Sequence, residues 1–487
     1  MPEANLTAPI TNPLVFTRLE GTPFLGSKRQ PMPPAYVESE WLASGSAMSY
    51  AQVGVWGRDG CWTAKALDVA RFTTRVIVRR PDDPAQQDGT VVLEWLNVSS
   101  GADIGVEWLF THRELTRSGT TWVGVSAQKA GIDGGGNIPG RHLKKADPAK
   151  YAELVHPGDR FSYDIFSQVA RALRRGALGV RSPEVLLAVG HSQSASHLVT
   201  YVNAVDPLAR VIDGYLIHGR LSTAASIAGQ GLDSVKRALS RESAIKDAAQ
   251  IRSDARCPVL VLQTETDIEV LGSRFCDQAD GDLIRQWDIA GASHSDTYLA
   301  AAPGHHDDTS LEQLHGMLRP TVEPFGPTVP CQEPINGAPQ QHYVTQAALV
   351  RLSEWVRTGQ PPDASPRLAL AQQAFATDEL GVATGGIRTG WVDAPLALHS
   401  GLGQPGNSLS AIFGTSRSFS IDLIDKLYPG GLADFLDGFQ RATHAAVASG
   451  HLLERDVPEI LALAALEWRD RSGEYLETGQ KRPNLAT

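Results

Sequence analysis

The 487-residue chain has no run of about 18 apolar residues long enough to span a bilayer. Its opening, MPEANLTAPITNP, lacks the basic start and apolar stretch of a secretory leader. It has no excess of positive charge either: 44 Lys+Arg stand against 54 Asp+Glu, a formal net charge of −10. Nucleic-acid binders and polybasic membrane dockers need concentrated cations to neutralise phosphates, so both classes are excluded as expectations. The four cysteines, Cys61, Cys257, Cys276 and Cys331, lie too far apart in sequence to form the close pairs of structural zinc or a dithiol redox site. Reduced thiols in a cytoplasmic protein are expected, and the triplets starting at Asn5 and Asn97 are then coincidental rather than glycosylated. Repeats and low-complexity tracts are missing, and the glycines between Gly131 and Asn137 match neither the G-x-G-x-x-G spacing nor the P-loop. These glycines therefore read as a rim loop, not a phosphate cradle.

What is present suits a large globular core: 42% hydrophobic and 20% charged residues. Residues 1–34 are Pro-rich and polar and read as a surface arm. From Ala35 to Arg80 come β-type stretches broken by Gly and Pro. Short apolar runs then alternate with helical patterns: Thr90–Leu96 before a helix near Val106–Arg117, Thr121–Val125 before one near Tyr163–Arg174, and Glu184–Val189 before one from Gln193 to Val205. Further runs cover Val211–Ile217, Pro258–Gln263 and Leu283–Ile289. Continuous apolar strands alternating with amphipathic helices predict an α/β fold, a mostly parallel sheet covered on both faces. The expected division is a core over residues 35–305, with a cap segment at 222–255, and an α+β extension over 306–487. In that extension the pattern predicts a helix over Val344–Thr358, short strands and turns over Gly385–Leu402, and helices over Gly431–Ala448 and Val457–Trp468.

Ligands of open α/β sheets bind beyond the carboxyl ends of the strands, so those ends carry the candidate chemistry. The run ending at Val189 passes into Gly190-His191-Ser192-Gln193-Ser194 and straight into a helix. A serine on such a strand–turn–helix is exposed as a nucleophile, and the N–H of the next residue, Gln193, can stabilise an oxyanion. The neighbours two positions away must be small, as Gly190 and Ser194 are. A serine hydroxyl needs a base, and the base needs a carboxylate. The next strand ends in Glu265-Thr266-Asp267, and the one after it in Gly291-Ala292-Ser293-His294. The order Ser, acid, His assigns Ser192, Asp267 and His294, with Glu265 as the alternative acid. The paired His305 and His306 read as solvated. A second oxyanion N–H is expected from the loop after the Thr90–Leu96 run, at Val98, with Asn97 and His218 as pocket residues. No metal or cofactor is required.

With these residues in place, the chain resembles the large bacterial α/β-hydrolase-domain proteins that carry a long C-terminal extension. The resemblance rests on Trp95-Leu-Asn-Val-Ser, Gly190-His-Ser-Gln-Ser, Ile212-Asp-Gly-Tyr, Glu265-Thr-Asp267, Gly291-Ala-Ser-His294, Gly385-Gly-Ile-Arg and Leu427-Tyr-Pro, and it covers roughly residues 35–470. It implies an α/β-hydrolase fold and a serine hydrolase acting on a small-molecule carboxylic ester. Acyl transfer, amide or lactone hydrolysis, and a non-catalytic binding module of the same fold are the alternatives. Substrate identity and oligomeric state are not legible in the sequence.

Overall fold

The structure is a computed structural model. It describes residues 13–472 except 28–31, 137, 230–239, 302–304, 306–308, 328, 373 and 406–408. Asn5, His306, Asn137 and parts of the expected arm and cap segment lie outside the described residues. The chain divides into two compact units. The first holds the residues up to Leu262, Leu271–Arg285 and Val350–Pro362. The second holds Gln263–Val270, Gln286–Leu349 and the residues from Asp363 on.

Among the described residues the main sheet has nine strands: β1 (Val15–Leu19), β2 (Tyr36–Val53), β3 (Thr63–Pro81), β4 (Thr90–Trp95), β5 (Thr121–Val125), β6 (Val185–His191), β7 (Gly214–His218), β8 (Val259–Thr264) and β9 (Ile284–Ile289), in the order β1-β2-β3-β5-β4-β6-β7-β8-β9. The pairs from β1 through β3 to β5 are antiparallel. Those from β5 through β4, β6 and β7 to β8 are parallel. Every residue of β4, β6 and β7 is buried, because crossover helices cover both faces and an apolar side chain on either face leaves water.

Those helices in the first unit are α1 (Val106–Ser118), α2 (Ser162–Arg174) and α3 (Gln193–Thr200). Helix α1 stops at Gly119, whose left-handed φ of 77° lets its N–H reach the carbonyl of Leu115. The helix expected to run on to Val205 instead widens into a π-helical turn over Tyr201–Val205. Asn203, in that turn, donates to the Gln250 carbonyl at 2.7 Å and accepts from the Arg252 N–H at 3.0 Å.

The second unit holds α4 (Glu265–Glu269), the first part of α5 (Gln340–Thr358), α6 (Leu432–Ala448), α7 (Val457–Ser472) and an antiparallel pair, β10 (Ala397–Ser400) with β11 (Thr415–Ser418). Helix α5 starts before the expected Val344, and the stretch expected as strands and turns also contains a helical turn at Gly390–Asp393. Phe435 stacks on Trp468 of α7 at 5.3 Å and Phe439 meets Trp391 edge-on at 5.2 Å. No helix among the described residues is long and apolar enough to cross a membrane.

One charged cluster sits inside the first unit. Arg75 is fully buried, 3.3 Å from Glu40 and 2.7 Å from Asp103, and donates to Ser126 Oγ at 2.9 Å and to the Phe24 carbonyl. Removing one partner of a buried ion pair leaves uncompensated charge, here on Asp103, since Glu40 keeps Lys150 at 2.5 Å. Arg75→Ala is expected to destabilise the first unit by about 3–5 kcal/mol, read as a lower urea midpoint.

Candidate active site

In the first unit, β6 ends at His191 and the chain turns at Ser192 with φ 62° and ψ −120° before α3 begins. A non-glycine residue held at positive φ costs on the order of 1–3 kcal/mol, so the surroundings must enforce it. The Ser192 N–H donates to the His218 carbonyl at 2.9 Å. Gly190 allows the tight fold: a Cβ there would stand 3.1 Å from Ser194 Cβ and Leu198 Cδ1. Gln193 takes the first helical position, where N–H groups have no intrahelical acceptor and the helix dipole favours negative charge.

Beside it runs the loop after β4. Asn97 exchanges backbone hydrogen bonds with Ile104 at 2.9 Å in each direction, and the Val98 carbonyl accepts the Gly101 N–H at 2.9 Å. The Asn97 side chain, expected in a pocket, is engaged with backbone: its Nδ2 donates to the His191 carbonyl at 3.0 Å and its Oδ1 accepts the Ser99 N–H at 2.8 Å. Asp103, on the same loop, is held by Arg75 and by Ser126 Oγ at 2.5 Å. His218, at the last position of β7, is fully buried with Nδ1 2.9 Å from Glu107 Oε1, and its ring meets that of His191 edge-on at 4.6 Å.

Several supporting residues were not singled out from the sequence. Glu94 accepts the N–H groups of Glu107 and Trp108 at the start of α1 and the Trp122 indole N–H, at 2.9, 3.0 and 2.8 Å. Burial, and then the nearby Glu107 carboxylate, push Glu94 up to about 8. His197 Nδ1 donates to the Gln193 carbonyl at 3.0 Å, leaving Nε2 to accept from Gln128 Nε2 at 3.5 Å, while Gln128 Oε1 accepts the Trp95 indole N–H at 3.1 Å. Burial lowers the affinity of His197 for a second proton. The four-residue spacing of Gln193 and His197 was the available signal.

In the second unit, Thr264 and Asp267 form a capping box at the start of α4. Asp267 Oδ2 accepts the Thr264 N–H at 2.7 Å and the Thr264 hydroxyl at 2.8 Å. Its other oxygen lies 2.6 Å from His294 Nδ1. A carboxylate there keeps the proton on Nδ1, so the lone pair of the imidazole is on Nε2. Asp267 is fully buried and His294 nearly so, which strengthens the contact.

Glu265, the alternative acid, faces elsewhere. Its Oε1 accepts the Gly291 N–H at 2.6 Å, and its Oε2 accepts the Gly401 N–H at 2.7 Å and the Ser400 hydroxyl at 2.8 Å. Burial pushes its carboxyl up against the pull of these donors. The loop bearing His294 is fastened by residues distant in sequence: Gln340 Nε2 donates to the Ala290 carbonyl at 2.7 Å, Asn336 Nδ2 to the Gly291 carbonyl at 2.8 Å, and the Ser295 N–H to the Ile412 carbonyl at 3.0 Å. His305, expected in solvent, is 1% exposed with Nδ1 2.9 Å from the Tyr298 hydroxyl. The sequence around it is polar, but Tyr298 supplies a buried partner that sequence proximity alone does not reveal.

A family model described as alpha/beta hydrolase domain matches residues 7–462. The chain belongs to this alpha/beta hydrolase domain family. No curated protein sequence matches it. Among solved structures, this alpha/beta hydrolase is similar to an esterase of Rhizomucor miehei at 12% identity, covering 56% of this chain and 81% of that one with a TM-score of 0.29. It is similar to acetyl xylan esterase 1 from Thermoanaerobacterium sp. at 11% identity, covering 50% and 80% with a TM-score of 0.25. It is also similar to an esterase from Pyrobaculum calidifontis at 14% identity, covering 50% and 76% with a TM-score of 0.27.

Glu265→Ala would leave the Gly291 and Gly401 N–H groups buried without their acceptor, at about 1–3 kcal/mol each. The expected outcome is a loss of at least about 2 kcal/mol in urea unfolding of the second unit, with Asp267 and His294 still present.

Proposed function

We propose that this alpha/beta hydrolase cleaves a small carboxylic ester through an acyl-enzyme, with Ser192 as nucleophile, His294 as general base and Asp267 as the carboxylate that orients the imidazole. The observation that carries the reading is the positive φ of Ser192 between a parallel strand and a helix N-terminus. Strain of that kind collects at functional turns, where it projects a side chain that a relaxed helix cap would hold down. The short Asp267–His294 contact supports the second part of the reading. The order of strands supports both: β6, β8 and β9 each precede one of the three residues, and β6 to β9 are successive neighbours in the sheet.

In this mechanism His294 Nε2 takes the Ser192 hydroxyl proton as Oγ attacks the ester carbonyl. The N–H groups of Gln193 and Val98 hold the oxyanion of the tetrahedral intermediate. Collapse of that intermediate breaks the C–O bond to the alcohol, which leaves with the proton from His294. A water, deprotonated by the same nitrogen, then attacks the acyl-enzyme and releases the acid. Asp267 stays ionised and stabilises the transient imidazolium. The mechanism calls for no metal or cofactor.

Ser192→Ala, assayed on p-nitrophenyl acetate and butyrate, is expected to lose on the order of 10⁴-fold or more in kcat and to lose covalent labelling by a fluorophosphonate. Asp267→Asn is expected to lose about 10⁴-fold by stabilising the wrong tautomer of His294. Undiminished turnover in Ser192→Ala would overturn the proposal.

A further inference from the structure

The peptide group that leads into Ser192 is held at both of its polar ends. Its carbonyl, from His191, accepts the Asn97 side-chain amide at 3.0 Å, and its N–H, from Ser192, donates to the His218 carbonyl at 2.9 Å. Rotation of that peptide plane is the motion by which Ser192 would leave its strained φ of 62°. One of the two restraints is backbone from β7. The other is a single side chain. We propose that Asn97 is a positioning residue, which ties the loop after β4 to the nucleophile turn and thereby sets the spacing of the two oxyanion donors. The inference rests on the function proposed above.

Three observations carry it. First, Asn97 connects the two segments that bear the donors, since Val98 is its chain neighbour and Gln193 follows the peptide it clamps. Second, the amide has only one satisfactory orientation. Oδ1 accepts the Ser99 N–H at 2.8 Å while Nδ2 donates to a carbonyl; flipping the group would set donor against donor and acceptor against acceptor. Third, the Asn97 backbone is paired in both directions with Ile104, so the side chain pulls on a closed, braced loop rather than a slack one. Asn97 is also 6% exposed, which keeps water from competing for the clamp.

Oxyanion donors act only when charge develops on the carbonyl oxygen, so a displaced donor costs transition-state binding and leaves substrate binding nearly untouched. Displacements of about 1 Å in such sites cost around 10²-fold.

The experiment measures Asn97→Ala and Asn97→Asp on p-nitrophenyl butyrate, with Ser192→Ala in parallel. Asn97→Ala is expected to lower kcat by about 10²-fold with KM changed by less than about threefold. It is also expected to weaken a boronic-acid transition-state analogue by a factor matching the loss in kcat/KM, while the affinity for the butyrate product holds. Asn97→Asp retains the acceptor for Ser99 but donates to His191 only when its carboxyl is protonated. Its activity relative to wild type at the same pH is therefore expected to climb as pH falls. This arm keeps the test decisive if the alanine variant folds poorly, because a merely structural lesion would not recover with the acid form of one carboxyl. Wild-type kcat in Asn97→Ala, a loss confined to KM, or a pH-independent activity ratio for Asn97→Asp would each overturn the inference. If Ser192→Ala stays active the underlying function fails; if it is dead while both Asn97 variants match wild type, only the clamp fails.

Discussion

The backbone of Ser192 is the constraint around which the first unit is arranged. The chain passes from β6 into α3 without a loop by holding this one residue in a conformation that L-amino acids avoid, and its neighbours must offset that cost. Gly190 gives the room, the His218 carbonyl at the end of β7 takes the N–H, and the apolar strands β4, β6 and β7 fix where that carbonyl sits. The buried chain from Trp95 through Gln128 and His197 to Gln193 anchors the first turn of α3 from the other side. Apolar burial thus does two jobs: it stabilises the sheet, and it supplies the stiffness needed to hold one residue in a strained state.

The second unit solves a different problem, that of holding an imidazole in one tautomer and one orientation. The capping box at Thr264 fixes the Asp267 carboxylate before it meets His294. Glu265, its neighbour by two positions, spends both oxygens on the Gly291 loop and on Ser400 and Gly401. Two adjacent acids thereby take separate roles, one touching the imidazole and one bracing the backbone that carries it.

Much of this was legible in the chain. The alternation of apolar runs such as Val91-Val92-Leu93 with helical patterns gave the parallel part of the sheet, because burial on both faces leaves a composition signature. Ser192, Asp267 and His294 were singled out because each directly follows such a run, and the family match over residues 7–462 agrees with the fold so inferred. What stayed hidden depends on contacts between residues far apart in sequence. Nothing near Asn97 announces that its amide reaches the His191 carbonyl, and nothing near Glu265 announces the Gly401 N–H. The long antiparallel pairing of β2 with β3 was visible only as β-type composition, since its register is set by the partner strand. The widening at Tyr201–Val205 is marked in the sequence only by Pro207 just beyond it, whereas the bonds of Asn203 to Gln250 and Arg252 are not legible there.

The anchors of the Gly291–Ser295 loop, Asn336, Gln340 and Ile412, are all encoded downstream of it. During synthesis at about 5–20 residues per second, the serine turn has its own supports well before these anchors leave the ribosome. For several seconds the residues that hold the Ser192 turn, Asn97 and His218, are therefore out before those that fasten the histidine loop. The order of the genetic message therefore supplies the contacts of the Ser192 turn before those of the His294 loop.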